Sequence, residues 1–574
     1  MSLAEKTRPV TRRFAVPLQV LLLWAAPLVF LVVFFFQPLW TIFRLAFQTG
    51  LAEGLTAGDW LRVWRPLGFT FWQAGLSTLL TLLVGLPAAY LFSRFVFPGK
   101  QLLRVVVTLP FILPTVVVAA GFNALLGPRG WVNLGLMALF DLSNPPVQMM
   151  NTLGAILLAH VFYNTSVIIR VVSTAWSQLD VRLENAARVL GASPLRAFFE
   201  VTFPLLRPAI FSAALLVFLF DFTSFGVILL LGGPAYRTIE VEIYIQALQM
   251  LNLPLAGLLS AIQLAATLVL TWIYSRISGG QHVPLIPRLK GEGQRRPKGW
   301  KEKLLAAGMV AVLAVLLVSP LAAMSLRSVT RLDAERGQRS EVQRGLTLDY
   351  YRELFVNRRE SLFYVPPIEA ARNSLQYAGA TVLISVTLGV LASYALNRHS
   401  GVNKVLEPLF MLPLGASAVT LGLGFILVFN HPPLDVRTFP WLLPIAHSLV
   451  ALPFVVRSVQ PALAAVPERL REAAKVLGAP GWRVWLEVDL PILSRAVLVS
   501  GIFAFTISLG EFGATSFLAR PEYPTMPVAI YRFLSQPGAL NYGQALAMST
   551  LLMLVCAASI LLIERIRLPG ISEL

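Results

Sequence analysis

About twelve apolar stretches, each near the ~20 residues that cross a hydrocarbon core, recur along this 574-residue chain. They fall near 18–43, 70–93, 103–126, 150–175, 206–231, 255–275, 304–327, 371–396, 404–430, 440–463, 494–519 and 541–563. Within lipid every backbone N–H and C=O must be satisfied by the chain itself, so segments of this length are predicted helices. Charged residues make up 13% of the chain, about half the roughly 25% of a soluble domain. Too little polar surface remains to coat a water-soluble fold. The expected class is therefore an all-α integral membrane protein. The first stretch is too long for a signal-peptide core and lacks a convincing cleavage site, so it is read as retained. The single cysteine, Cys556, excludes a disulfide framework and lies in an apolar run.

Lys and Arg number 47 against 29 Asp and Glu. In a soluble protein that excess would suggest nucleic acid; here the charges sit in short segments between spans, the positive-inside pattern. Lys6, Arg8, Arg12 and Arg13 precede the first span, which predicts a cytoplasmic N-terminus. Alternation then puts Arg94, Lys100 and Arg104 inside, with Arg182, Arg188 and Arg196, and the stretch Arg288 to Lys303. Arg469, Arg471, Lys475 and Arg483 follow, and Arg565 and Arg567 end the chain on the same side. The loop 328–370 is predicted external.

The chain reads as one unit written twice. Ala186-Ala187-Arg188-Val189-Leu190-Gly191-Ala192 returns as Ala473-Ala474-Lys475-Val476-Leu477-Gly478-Ala479, at the offset of 287 that carries Ala187 onto Ala474. The same offset pairs His160 with His447, Arg170 with Arg457, Phe225-Gly226 with Phe512-Gly513, and Tyr244 with Tyr531. Upstream the offset becomes 303 for Leu109-Pro110 on Leu412-Pro413, and 304 for Gly85 on Gly389. Six spans per copy is an even number, so the copies share one orientation and form two parallel six-helix repeats. We divide the chain into 1–278, a Gly/Pro/basic linker at 279–303, and 304–574.

The loops 178–207 and 465–494 carry the strongest functional signal. Each reads as a short helix, a glycine stop (Gly191, Gly478), a second amphipathic stretch and a proline (Pro204, Pro491). Small residues at Ala186-Ala187 and Ala473-Ala474 allow another backbone to approach, which suits insertion into a groove on a soluble partner. A helix lying flat on headgroups is the competing reading of either loop alone.

Both loops resemble the EAA loop of permease subunits in binding-protein-dependent ABC importers. The second copy matches as Glu472-Ala473-Ala474, Gly478 and Leu490-Pro491; the first has Asn185 at the Glu position, Glu184 one residue early, and Phe203-Pro204. The resemblance implies the type I permease fold, a coupling helix in each loop, two ATPase subunits and an extracytoplasmic solute-binding protein. The layout of two fused units looks like the thiamine and iron(III) importers; Ile156 to Phe162 and Gly232-Gly233-Pro234 through Glu240 look most like thiamine permeases. The chain has no G-x-x-x-x-G-K-[ST] loop. ATP and Mg²⁺ are thus expected on the partner, with no cofactor, metal or catalytic constellation in this chain.

Ionisable groups inside spans are candidates for a transport path. Asp221 lies in the fifth span and Glu511 in the eleventh; at the offset of 287, Glu511 corresponds to Ser224, three residues from Asp221 and on one helical face. Two carboxylates near the pseudo-two-fold axis suit a cationic solute; a structural pairing with Arg170 or Arg457 is the alternative. Asn164 joins Asp221, Ser224 and Glu511 as a candidate for the path; Asn164 and Gln263 also suit helix packing, His160 and His447 are read as hydrogen-bonding residues, and Phe225-Gly226 with Phe512-Gly513 as a gate or a close-packing element. An ion-coupled secondary transporter is the remaining class, and it would have no use for the paired loops.

Overall fold

The computed structural model describes residues 18–47, 57–279, 294–331, 345–357, 366–397 and 403–566. The N-terminal basic cluster, Arg288, Arg567 and most of the linker (280–293) lie outside the described residues.

The first copy contributes α1 (Leu23–Leu45), α2 (Gly58–Arg94), α3 (Lys100–Ile112), α4 (Thr115–Leu126), α5 (Leu153–Gln178), α6 (Val181–Val189), α7 (Pro194–Phe222), α8 (Gly226–Leu231), α9 (Ile239–Tyr244) and α10 (Leu253–Ile277). The second repeats them as α11 (Gly299–Ser328), α12 (Pro367–Asn397), α13 (Asn403–Gly415), α14 (Ala418–Val428), α15 (Leu442–Ala464), α16 (Glu468–Val476), α17 (Gly481–Gly510), α18 (Gly513–Leu518), α19 (Met526–Ser535) and α20 (Ala539–Ile566). Two minimal antiparallel ribbons, with Thr330 opposite Leu346 and Asn430 opposite Asp435, are the only sheet among the described residues.

Ten of these helices are long and apolar enough to cross a membrane singly. The expected third and ninth spans are instead broken, bent by 112° between α3 and the segment beginning at Thr115, and by 98° between α13 and α14. The first break is at Leu113-Pro114, where proline lacks an N–H and forces the residue before it into extended backbone. At the second, Ser417 accepts from the N–H groups of Val419 and Thr420 and starts a new helix. The expected fifth and eleventh spans also stop early, after Phe222 and Gly510, and resume as α8 and α18.

α2 and α12 are inside out. Leu79 and Leu83 are exposed on α2, whereas Thr70, Gln73, Ser77 and Thr81 form a buried stripe at helical spacing. Ser374, Thr381 and Ser385 repeat it on α12. Apolar contact is no advantage over lipid, so these helices turn their hydrogen-bonding face to their neighbours. Thr70 accepts from the N–H of Ile239 at the start of α9 at 3.0 Å, and Ser374 from that of Met526 at the start of α19 at 2.8 Å.

The first helix of each copy packs on the other copy. A Cβ added to Gly121 on α4 would sit 3.0 Å from the carbonyl oxygen of Pro320 on α11, and one on Gly424 of α14 would sit 2.8 Å from the Pro38 ring on α1. Phe34 adds ring contacts to Phe425 and Phe429 at 6.3 and 5.5 Å. Gly424→Val is expected to destabilise the purified protein by about 2 kcal/mol, since a rigid ring and a helix backbone cannot both yield; a thermal unfolding midpoint equal to the parent's would refute this contact. Past 293 the chain clips back onto α2: Arg295 exchanges main-chain hydrogen bonds with Arg94 and Val96, both at 3.0 Å.

Candidate functional site

Two regions stand out, one at the loops and one between the copies.

In the loops, α6 and α16 both close in a Schellman turn. The Ala192 N–H reaches the Ala187 carbonyl and the Gly191 N–H that of Arg188; Ala479 reaches Ala474 and Gly478 reaches Lys475, all at 3.0–3.1 Å. The glycines adopt φ +92° and +80°, where a side chain is strained. This turn presents Val189 and Leu190 at 87% and 88% exposure, and Val476 and Leu477 both at 87%. Asn185 and Ala186 are exposed beside the first tip, with Ala187 half-buried; Glu472 and Ala473 are exposed beside the second, with Ala474 half-buried. Both prolines, Pro204 and Pro491, are exposed in the first turn of the regular helix that follows. A π-helical turn at matched positions, Phe198–Thr202 and Trp485–Asp489, leads each loop into its span.

Each loop is tied to its own copy by charge, but through different residues. Arg94 at the end of α2 donates to Glu184 at 3.3 Å. In the second copy Arg471, the counterpart of Glu184, donates to Asp489 at 2.8 Å, and Tyr394 of α12 donates to the same carboxylate at 3.0 Å.

Within each copy, a histidine bridges a long helix to the break that follows α7 or α17. His160 on α5 meets Ser224 through Nε2 at 2.9 Å and lies 3.4 Å from Asp221 through Nδ1. Asn164 donates to the Asp221 carboxylate at 2.6 Å, and Gln73 to its main-chain carbonyl at 2.8 Å. His447 on α15 meets Ser508 through Nδ1 at 2.8 Å, Thr515 through Nε2 at 2.9 Å and Glu511 at 3.2 Å. At the offset of 287, Ser508 corresponds to Asp221 and Glu511 to Ser224. The copies therefore carry one serine and one acid around each histidine with the places exchanged.

This corrects the expectation of a shared helical face. The helix ends before Ser224 in the first copy and at Glu511 in the second, where the Glu511 carboxylate turns back to accept from the N–H groups of Ala514 and Thr515, both at 2.9 Å, and from the Thr515 hydroxyl at 2.7 Å. A buried carboxylate recovers its lost hydration this way and starts α18 in doing so. The acids face His160 and His447, not Arg170 and Arg457. Gln263 donates to Glu240, which also accepts from Ser417 of the other copy at 2.7 Å. Glu240 escaped sequence reasoning; its pairing with Gln263 and Ser417 spans three separate elements.

Phe225 and Phe512 stack across the interface, with centroids 5.6 Å apart and planes 22° from parallel. Tyr244 packs on Phe225 at 5.3 Å and Tyr531 on Phe512 at 5.5 Å. The offset of 287 relates both pairs, so the pseudo-two-fold axis runs between them and the interface is shut there by four rings.

A doubled six-helix membrane scaffold with matched loops defines a transporter subunit. Residues 81–279 and 385–571 match the family described as binding-protein-dependent transport system inner membrane component, and the chain belongs to that family. It is accordingly a multi-pass inner-membrane protein and the permease of an ABC importer, built of two fused units. It is 26% identical over 543 residues to the thiamine transport system permease protein ThiP of Escherichia coli (strain K12), covering 89% of this chain and 91% of the relative. The protein of the same name from Brucella abortus (strain 2308) is 26% identical over 512 residues, covering 88% of each. A probable ABC transporter permease protein, y4fN, of Sinorhizobium fredii is 25% identical over 522 residues, covering 89% of each. A chain of a bacterial ABC transporter involved in import of the acidic polysaccharide alginate aligns at 19% identity and a TM-score of 0.38, over 46% of this chain and 96% of that one.

Proposed function

We propose that this chain is the membrane subunit of an ATP-driven importer of thiamine. The single observation that carries the ATP-driven part is the matched pair of exposed Val-Leu tips on glycine-closed helices. In water such side chains are an unburied apolar surface, and two copies on a pseudo-symmetric scaffold fit one groove on each of two ATPase subunits. On this reading the loop face is cytoplasmic, as are both termini, and a solute-binding protein delivers its cargo to the opposite face. ATP and Mg²⁺ belong to the partner. ATP binding draws the two ATPase subunits together, the loops follow, and the two copies part along the Phe225–Phe512 stack. The thiamine assignment is supported by relatives named for thiamine transport over most of the chain.

The test is reconstitution with the ATPase and binding protein in vesicles, comparing ATP-dependent uptake of labelled thiamine with that of ferric iron. Uptake of iron alone would overturn the substrate; accumulation driven by an ion gradient without the ATPase would overturn the class. In the same system Gly478→Pro and Ala474→Arg are expected to abolish uptake while membrane insertion is kept. The first breaks the Schellman turn and the second fills the small-residue face. Parental uptake by both variants would remove the docking role.

A further inference from the structure

The closed interface is not symmetric on the face opposite the loops. There a cavity of about 300 Å³ is lined by Asn123, Arg129, Arg327, Gln536 and Tyr542. It shares Asn123 with a second cavity of about 180 Å³, lined by Leu230, Tyr531 and Ser535 among others. Tyr531 is one of the four rings of the closure. The two chambers therefore share a wall at Asn123, and the second borders the closure at Tyr531, between α4 and α8 of the first copy and α19 of the second.

The mirror-image position is built from different residues. Offsets of 303 on α4 and 287 on α8 and α19 carry Ala119 to Gly422, Asn123 to Ile426, Leu230 to Phe517 and Ser535 to Leu248. Phe517 is buried, its ring packs on Tyr244 at 5.8 Å, and a Cβ on Gly422 would sit 3.0 Å from its own Cβ. Where the first side has a leucine and a void, the mirror side has a phenyl ring seated on a glycine. The polar lining residues Asn123 and Ser535 are replaced there by the apolar Ile426 and Leu248.

We infer that solute reaches the closure by one side only, along Asn123 and Ser535, and that the exchange of leucine for phenylalanine at positions 230 and 517 selects that side. This rests on the permease reading, but its test does not need the substrate. The probe is a membrane-impermeant trimethylammonium methanethiosulfonate, applied from the face opposite the loops to the assembled complex. Cys556, the chain's own thiol, is buried. Ser535→Cys and Asn123→Cys are expected to react faster than their mirror variants Leu248→Cys and Ile426→Cys by about tenfold or more, since thiol reactivity follows access. Modification of the first pair is expected to block uptake. Leu230→Phe should slow modification of Ser535→Cys, and Phe517→Leu should speed that of Leu248→Cys. Equal rates at the mirrored positions, or faster reaction at Leu248→Cys, overturn the one-sided route and leave the permease reading intact. Side-selective labelling in a complex that imports nothing would overturn the permease reading alone. The four single-cysteine rates decide the matter even where Leu230→Phe fails to insert.

Discussion

Replacing Leu190 and Leu477 together by Asp is expected to abolish uptake and release the ATPase subunit from the purified complex. Each leucine stands at the end of a helix closed by a Schellman turn and is almost wholly exposed. A side chain of that kind, buried in a partner's pocket, contributes about 2–4 kcal/mol at an interface hot spot. Asp removes this contribution and adds a charge to be desolvated, so loss of two tips weakens assembly by about 1,000-fold or more. The helices themselves should survive, because neither leucine packs inside its own loop. Membrane insertion and thermal stability of the isolated chain are the controls. The single variants carry further information: the loops are tied down differently, through Arg94–Glu184 in one copy and Arg471–Asp489–Tyr394 in the other. Co-purification of the ATPase at parental yield with the double variant would end the docking assignment.

The second large effect is expected at Glu511. Glu511→Ala leaves the N–H groups of Ala514 and Thr515 buried without the acceptor they now have, at about 1–3 kcal/mol each. Glu511→Gln keeps one carbonyl oxygen but sets an amide donor against a donor, so about half that cost remains. Stability and uptake should therefore fall together, most in the alanine variant. Because the acid and serine are exchanged between copies, Ser508→Asp with Glu511→Ser rebuilds around His447 the arrangement found around His160. Partial recovery of the unfolding midpoint relative to Glu511→Ala is expected. A Glu511→Gln protein of parental stability whose uptake alone fails would instead place the carboxylate on the solute path.

Much of this was legible in the chain. The spans follow from run length against bilayer thickness, and the copies from a constant offset. The loops follow from a glycine that must stop a helix beside apolar residues that no span absorbs. The broken spans were not legible, because hydropathy is blind to direction. Leu113-Pro114 and Ser417 sit inside apolar runs and change the path of the backbone without changing its polarity. The roles of Asp221 and Glu511 were half legible: their depth was apparent, their partners were not. An acid in a span can face a lumen or a neighbouring helix end, and only packing chooses.

Sequence alone determined that this chain lives in lipid, is built twice over and carries two matched glycine-stopped loops, since length, period and local stop signals need no knowledge of neighbours. Only the tertiary structure decided where the helices break, which histidine holds which acid, and that two chambers lie beside Leu230. Those depend on groups brought together from opposite ends of the chain: Leu230 and Phe517 become comparable only once the two copies close around a common axis.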